Sequence, residues 1–259
     1  MPATDDLALL IDAARAAGAI ARAHFERGAK AWNKPDAAGP VTEADLAANE
    51  ALHGQLTAAR PGYGWLSEEG PADPARHDAA RTFVVDPLDG TRGFIEGDHS
   101  WAQSLAVVED GRVTAGVIYL PMRDKLFAAA RGRGATLNGE PLRVRDDQGL
   151  DGAAVLASKR NFEPYVWRDA RVPDVRRQFR SSLAYRLGLV AAGRYDAMLR
   201  QRPVWEWDVA AGSLLVEEAG GRITDRAGKA LRFANPDPRL PGLVAAGPAL
   251  HAEIFARFA

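Results

Sequence analysis

Asp86-Pro87-Leu88-Asp89-Gly90-Thr91 decides how the rest of this chain is read. It directly follows the apolar run Thr82-Phe83-Val84-Val85, which predicts a β-strand that ends at the first carboxylate. A strand ending here presents both Asp86 and Asp89 at one sheet edge, with Pro87 stiffening the turn between them. Oxygen ligands crowded at one point suit a hard cation such as Mg²⁺. The Gly90-Thr91 step can offer a backbone N–H and a hydroxyl to an anion beside that cation. The stretch therefore reads as a metal-and-phosphate site, with a plain Asp-Pro-x-Asp-Gly turn as the bland alternative.

Around this stretch the chain has an ordinary globular composition. At 259 residues, 47% hydrophobic and 26% charged, it can bury the core of one large domain or two modest ones. A formal net charge of −1 gives no global attraction for a nucleic acid polymer or an acidic membrane. The absence of cysteine excludes disulfides, thiolate nucleophiles and Cys-ligated zinc or iron–sulfur sites, and fits a cytoplasmic location. Met1 to Leu10 carries two acidic residues and no basic region, so it is not expected to be a signal peptide. No apolar run reaches the ~18–20 residues of a membrane span. The five histidines are scattered without zinc-ligand spacing.

Outward from the strand, apolar spacing predicts a helix over 5–28 and a second starting near Thr42, where Thr42 and Asp45 resemble a capping box. Lys34 to Pro40 reads as a polar loop, Gly64–Leu66 as a short strand leading into Ser67-Glu68-Glu69. Trp101–Val108 and Val113–Leu120 flank an Asp110-Gly111 turn and predict a β-hairpin, followed by a strand at Leu126–Ala130 and a glycine-rich turn. The charged stretch between Arg143 and Gly152 marks a domain boundary: 1–148 as an α+β part carrying most acidic ligands, 149–259 as an α/β part completing the site. In the second part a strand (Ala153–Ala157), a helix near Ser182–Ala192, a strand (Tyr195–Leu199), a helix starting at Asp208, a strand (Arg222–Thr224) and a last helix from Pro248 are expected. This mixture without strict βαβ alternation favours layered sheets with helices between them.

Five acidic residues fall at element ends: Asp45, Glu68, Asp86, Asp89 and Asp208. Singly, Asp45 and Asp208 read as helix caps and Glu68 as a solvated loop residue. Jointly they meet an electrostatic demand. Unaided phosphate monoester hydrolysis is so slow that an enzyme must remove on the order of 20 kcal/mol of barrier. Two or three Mg²⁺ ions ~3.5–4 Å apart can do so, but they repel one another and need several carboxylates around them.

Asp86 to Thr91, together with Trp207-Asp208-Val209-Ala210-Ala211-Gly212 and Glu218-Ala219-Gly220-Gly221, resembles the two signatures of the inositol monophosphatase superfamily of Mg²⁺-dependent, lithium-sensitive phosphatases. Val41-Thr42-Glu43-Ala44-Asp45 and Ser67-Glu68-Glu69 match two further motifs in the expected order. The resemblance implies a layered α-β-α-β-α sandwich. It also implies metal ligation by Glu68, Asp86, Asp89, the Leu88 carbonyl and Asp208, with Asp45 assisting a third ion. Thr91, partnered by Glu68, would orient the attacking water, and the Gly90 and Thr91 amides would cradle the phosphate of a small-molecule ester. Many relatives are dimers, and a homodimer is compatible with the sequence without being demanded by it.

For the substrate, three features resemble the 3′(2′),5′-bisphosphate nucleotidases, which convert 3′-phosphoadenosine 5′-phosphate to AMP. These are Arg92-Gly93-Phe94-Ile95 after Thr91, Arg200-Gln201-Arg202-Pro203 before Glu206-Trp207-Asp208, and the loops Ser158-Lys159-Arg160-Asn161 and Ser181-Ser182. On that resemblance Arg92, Ser158, Lys159, Ser182, Arg200 and Glu206 are expected to contact substrate. Departures remain: Tyr195–Leu199 lacks a Tyr-Pro-Arg triplet, and Gly93 stands where those enzymes carry an acidic residue. Inositol monophosphatase is the alternative, followed by histidinol-phosphate and fructose-bisphosphate phosphatases. A non-catalytic phosphometabolite module would lack a ligand, which this chain does not. A calcium-stabilised domain would draw its ligands from one contiguous segment.

Overall fold

The computed structural model describes residues 5–35, 39–71 and 73–259. The expected polar loop at Lys34–Pro40 and the reading of Met1–Leu10 lie partly outside them. Elements follow in the order α1 (Asp6–Arg27), β1 (Ala31–Asn33), β2 (Pro40–Thr42), α2 (Glu43–Ala59), β3 (Gly64–Ser67), β4 (Arg81–Asp89), α3 (Thr91–Ile95), β5 (Ala102–Glu109), β6 (Arg112–Leu120), β7 (Lys125–Ala130), β8 (Ala135–Leu137) and β9 (Glu140–Pro141). Then come β10 (Ala154–Ala157), β11 (Arg176–Gln178), α4 (Leu183–Ala191), β12 (Ala197–Arg200), β13 (Val204–Trp205), α5 (Glu206–Glu218), β14 (Arg222–Thr224), β15 (Arg239–Leu240), β16 (Leu243–Ala246) and α6 (Pro248–Arg257).

Strand β4 shows why the layers form. Its apolar residues point alternately to opposite faces, as the pleat requires. Phe83 and Val85 join a core with Leu10, Ala14 and Leu52 of α1 and α2. Val84 faces a second core with Leu187 and Val190 of α4 and Val209 and Leu214 of α5. The same alternation recurs in the second sheet. Leu156, Met198, Leu243 and Ala245 face α4 and α5, while Val155, Leu199 and Val244 face Leu250 and Ile254 of α6 and the buried Trp167. Five layers result, α1/α2, seven-stranded sheet, α4/α5, five-stranded sheet and α6, which is the α-β-α-β-α sandwich.

The seven-stranded sheet runs β3 through β9 in sequence order, with only the β3–β4 pair parallel. The five-stranded sheet runs β11-β10-β12-β16-β14. The β5–β6 turn carries positive φ at both Asp110 (51°) and Gly111 (71°), the conformation that suits the Asp-Gly pair.

Several elements differ from the sequence expectation, which did not contain the short strands β1, β2, β11, β13 and β15. Helix α5 begins at Glu206, with Trp205 as an N-cap that lacks a side-chain hydrogen bond. Asp208 therefore stands inside the first turn and does not cap it. Strand β16, central between β12 and β14, was not expected, because four apolar residues between glycines carry no alternation to distinguish them. The short α3 directly after Gly90 was also not anticipated. Among the described residues no helix is long and apolar enough to cross a membrane.

Candidate active site

The capping box at the start of α2 has a second use. Asp45 Oδ2 accepts from the Thr42 backbone N–H at 2.8 Å and from the Thr42 hydroxyl. Its other oxygen, Oδ1, accepts from Thr91 Oγ1 at 3.0 Å. Asp45 is buried, and burial raises its pKa above the usual carboxylate value against the lowering effect of these hydrogen bonds. Thr91 Oγ1 also lies 3.2 Å from the Leu88 carbonyl. Thr91 is thus hydrogen-bonded directly to Asp45 at the start of α2, while Glu68, its expected partner toward the attacking water, accepts from Lys34.

Strand β4 ends in a register irregularity between Asp86 and Asp89, where pairing with β5 skips from Ser104 to Ala102. Such a bulge re-aims side chains at a strand end. Asp86 Oδ1 accepts from the Leu88 N–H at 3.0 Å. Asp89 Oδ2 accepts from Ser182 Oγ (2.5 Å) and the Ala184 N–H (2.6 Å) at the start of α4, so one of its oxygens is committed to joining β4 to α4. Gly90 permits this junction. Its φ is +99°, and a Cβ there would lie 3.2 Å from the Ser182 nitrogen. Asp208 is placed by α5, whose first turn is tied to β5 through Ser104 Oγ donating to the Trp207 carbonyl at 2.9 Å.

Glu68, Asp86 and Asp208 each bring one oxygen within 4.8 Å of the others. A hard cation with ligands at about 2.0–2.6 Å spans such a set. The electrostatics agree. Burial and the charges of Glu68, Asp89 and Asp208 push Asp86 well above its usual pKa. Burial, Asp89 and Glu68 do the same to Asp208. Burial raises Asp89 to about 6. Carboxylates forced together without enough protein cations form an all-oxygen donor set that suits Mg²⁺.

These residues line a cleft of about 490 Å³, with Gly90, Thr91, Arg92, Ser181, Arg186, Arg200 and Trp205 completing its wall. Arg92 and Arg200 thus stand where substrate contact was expected. Four expected contacts do not. Ser158 and Lys159 are exposed on a separate turn and do not line the cleft. Ser182 is fully buried behind Asp89, which its hydroxyl holds. Glu206 is also fully buried, and its carboxylate accepts from the Ala234 and Asn235 N–H groups and from Asn235 Nδ2. From the other side Arg76 donates to the carbonyls of Ala234, Asn235 and Pro236. Glu206 is part of a clamp on that loop, so Glu206→Ala is expected to lower the unfolding free energy by about 2–3 kcal/mol. Urea denaturation measures this, and a loss below ~0.5 kcal/mol would contradict the clamp.

Sequence reasoning missed Lys34 and Arg186. Lys34 Nζ donates to Glu68 Oε1 at 2.9 Å and also to Glu69 Oε1. Nothing in the loop sequence marks that reach. Arg186 carried a signal: it is a charge in the middle of the apolar α4, Leu183–Ala191. Burial lowers its pKa to about 10, so it remains charged at neutral pH.

A profile of the inositol monophosphatase family matches residues 4–259. This chain belongs to the inositol monophosphatase family. It is 40% identical over 228 residues to an inositol-1-monophosphatase of Caulobacter vibrioides, covering 83% of this chain and 87% of that one. It is 36% identical over 239 residues to Nus factor SuhB of Pseudomonas aeruginosa, covering 86% of each. Among solved structures, the extragenic suppressor protein SuhB of Bartonella henselae superposes with a TM-score of 0.81 at 32% identity over 95% of both chains. The Thermotoga maritima inositol monophosphatase gives 0.83 at 29%, over 98% and 96%. As a member of the family the chain is a metal-dependent phosphoric monoester hydrolase. The resemblance to bisphosphate nucleotidases in particular is not supported by these relatives.

Proposed function

We propose that this inositol monophosphatase family member hydrolyses a small phosphorylated cyclitol or sugar at the cleft between β4, α4 and α5, using two or three Mg²⁺ ions. Glu68, Asp86, Asp89, Asp208 and the Leu88 carbonyl would hold the ions, with Asp45 assisting. The observation that carries this reading is the gathering of Glu68, Asp86 and Asp208 oxygens within 4.8 Å, beside the Thr91–Asp45 pair. When bound, the ions supply charge neutralisation of the phosphoryl oxygens and a more acidic water.

The chain's own residues do the rest. With its proton donated to Asp45 Oδ1, the Thr91 hydroxyl has free lone pairs that accept a hydrogen bond from water in the cleft and orient it toward phosphorus. Burial makes Asp45 more basic than an exposed aspartate, so it receives the proton leaving through Thr91. A water oxygen–phosphorus bond forms, the ester bond breaks, and alcohol and inorganic phosphate leave. Gly90 and Thr91 line the cleft, and their amides would cradle the phosphate.

Thr91→Ala is expected to reduce kcat by about 10²- to 10⁴-fold with little change in thermal stability; a kcat within threefold of wild type would remove Thr91 from the chemistry. Inositol 1-phosphate is the reference substrate that the names of the relatives support in place of 3′-phosphoadenosine 5′-phosphate. The test is phosphate release at fixed Mg²⁺ from inositol 1-phosphate, 3′-phosphoadenosine 5′-phosphate, fructose 1,6-bisphosphate and histidinol phosphate. Release from none of them contradicts the reading. The cysteine-free composition fits a cytoplasmic enzyme.

A further inference from the structure

Two exposed aromatic residues stand on the wall of the cleft, Phe179 (52% exposed) and Trp205 (42%). The Phe179 ring is engaged: the Arg186 guanidinium carbon lies 4.1 Å from its centroid. Trp205 is held in place with much of its ring left uncovered. Its indole stacks on Trp207, with centroids 4.8 Å apart and planes at 10°. Trp207 is buried and immediately precedes Asp208. The Trp205 backbone pairs with Arg239 in the β13–β15 ribbon, and the Glu206 N–H next to it donates to the Pro238 carbonyl at 2.9 Å. The clamp of Arg76 and Glu206 grips the loop that leads into β15. The ring is thus built into a fixed relation to a proposed cation ligand, and a rigid aromatic surface loses little entropy when a ligand covers it.

The charges around the ring decide what it can receive. Apart from the carboxylates proposed to hold cations, the charged groups on the wall are Arg92, Glu96, Arg186 and Arg200. Arg239, ion-paired with Asp237, stands 5.8 Å from the Trp205 centroid. A cationic ligand approaching the indole would meet this net positive surround and is disfavoured. The scissile phosphate belongs beside the carboxylates and Thr91, so it does not cover the ring either. What remains is the neutral part of the ester, its alcohol. A polyol ring carries C–H bonds on its faces, polarised by the hydroxyl groups, and these are attracted to the negative face of an indole. Its hydroxyls, at the ring edge, stay free to hydrogen-bond the charged groups of the wall. An acyclic polyol has no fixed face and must give up chain rotations to imitate one.

We propose that Trp205 is a specificity-determining residue for the leaving alcohol, its indole stacking on the C–H face of a neutral ring, so that phosphates of cyclic polyols are preferred over those of acyclic ones. The inference rests on the phosphomonoesterase reading and adds to it the residue that selects the alcohol. Trp205 takes no part in the chemistry. Substrate covers it equally before and during the reaction, so its effect falls on KM and not on kcat.

The test compares inositol 1-phosphate with the acyclic glycerol 2-phosphate at saturating Mg²⁺. Wild type is expected to prefer inositol 1-phosphate in kcat/KM by at least about tenfold. Trp205→Ala is expected to cut that preference by about 5- to 10-fold, by raising KM for inositol 1-phosphate rather than by lowering kcat. Trp205→Phe, which keeps an aromatic face, should restore most of the preference. Trp205→Leu keeps an apolar cover on Trp207 but has no aromatic face. It should behave like Trp205→Ala, and it decides if the alanine variant fails to fold. A leucine variant with the wild-type preference, or one that loses equally on both esters, overturns the role of Trp205 and leaves the phosphatase reading standing. So does a wild type that hydrolyses glycerol 2-phosphate as well as inositol 1-phosphate. Hydrolysis of neither ester overturns the phosphatase reading and this inference with it.

Discussion

Asp86→Asn is expected to abolish turnover, with a loss of at least about 10³-fold, and at the same time to stabilise the metal-free protein. Both effects come from one fact. Asp86 is 1% exposed, and its charge is opposed by burial, Glu68, Asp89 and Asp208. An amide keeps the shape and can still accept from the Leu88 N–H, but it removes the repulsion and with it a negatively charged cation ligand. Sites that hold like charges together for function are commonly relieved by neutralising one of them. Phosphate release and a melting curve in chelator check the two halves. A variant with near wild-type turnover contradicts the ligand role of Asp86; one that is inactive and markedly less stable in chelator points to a structural role instead.

The second large expected effect is a metal-dependent reversal of the pH dependence of stability. In the folded protein Asp89 titrates near 6 and Glu69 near 7, both raised chiefly by burial, and Asp86 and Asp208 are raised well above normal. An unfolded carboxyl titrates near 4. Between about pH 4 and pH 7 the native state thus binds more protons than the unfolded state, and the unfolding free energy falls as pH rises through that window. This is opposite to the usual salt-bridged carboxylate. Mg²⁺ supplies the missing positive charge, so its stabilisation should grow with pH and reach about 2.7 kcal/mol at a hundredfold excess over Kd. Thermal melts at pH 5 and pH 7.5, with and without Mg²⁺, measure it. A chelated protein more stable at pH 7.5 than at pH 5 would contradict the charge crowding.

Parts of this site were legible in the sequence because local chemistry constrains them. Asp86 and Asp89 stand at the end of an apolar strand, and the bulge that aims them follows from the Pro-Leu insertion between them. Asp45 was legible as a cap, and its second oxygen does the additional work of holding Thr91. What failed was any inference about which way a side chain faces. Glu206 and Ser182 lie next to site residues in sequence, yet both point inward and hold backbone N–H groups or Asp89. Ser158 and Lys159 fell in a basic loop, but the turn carries them to solvent. Lys34 reaches Glu68 across 34 positions, a contact set by tertiary packing alone. Arg186 was discoverable, since a lone charge inside a buried apolar helix requires a purpose. Strand β16 was hidden because both of its faces are buried, which erases the alternation that marks a strand.

The most direct test of the central claim is an anomalous difference map from crystals grown with Mn²⁺ in place of Mg²⁺. The expected result is at least one strong peak within about 2.0–2.4 Å of oxygens from Glu68, Asp86 and Asp208, with any second peak sharing Asp86 or Asp89. Peaks only at other carboxylates, or no peak at this cluster at saturating Mn²⁺, would contradict it.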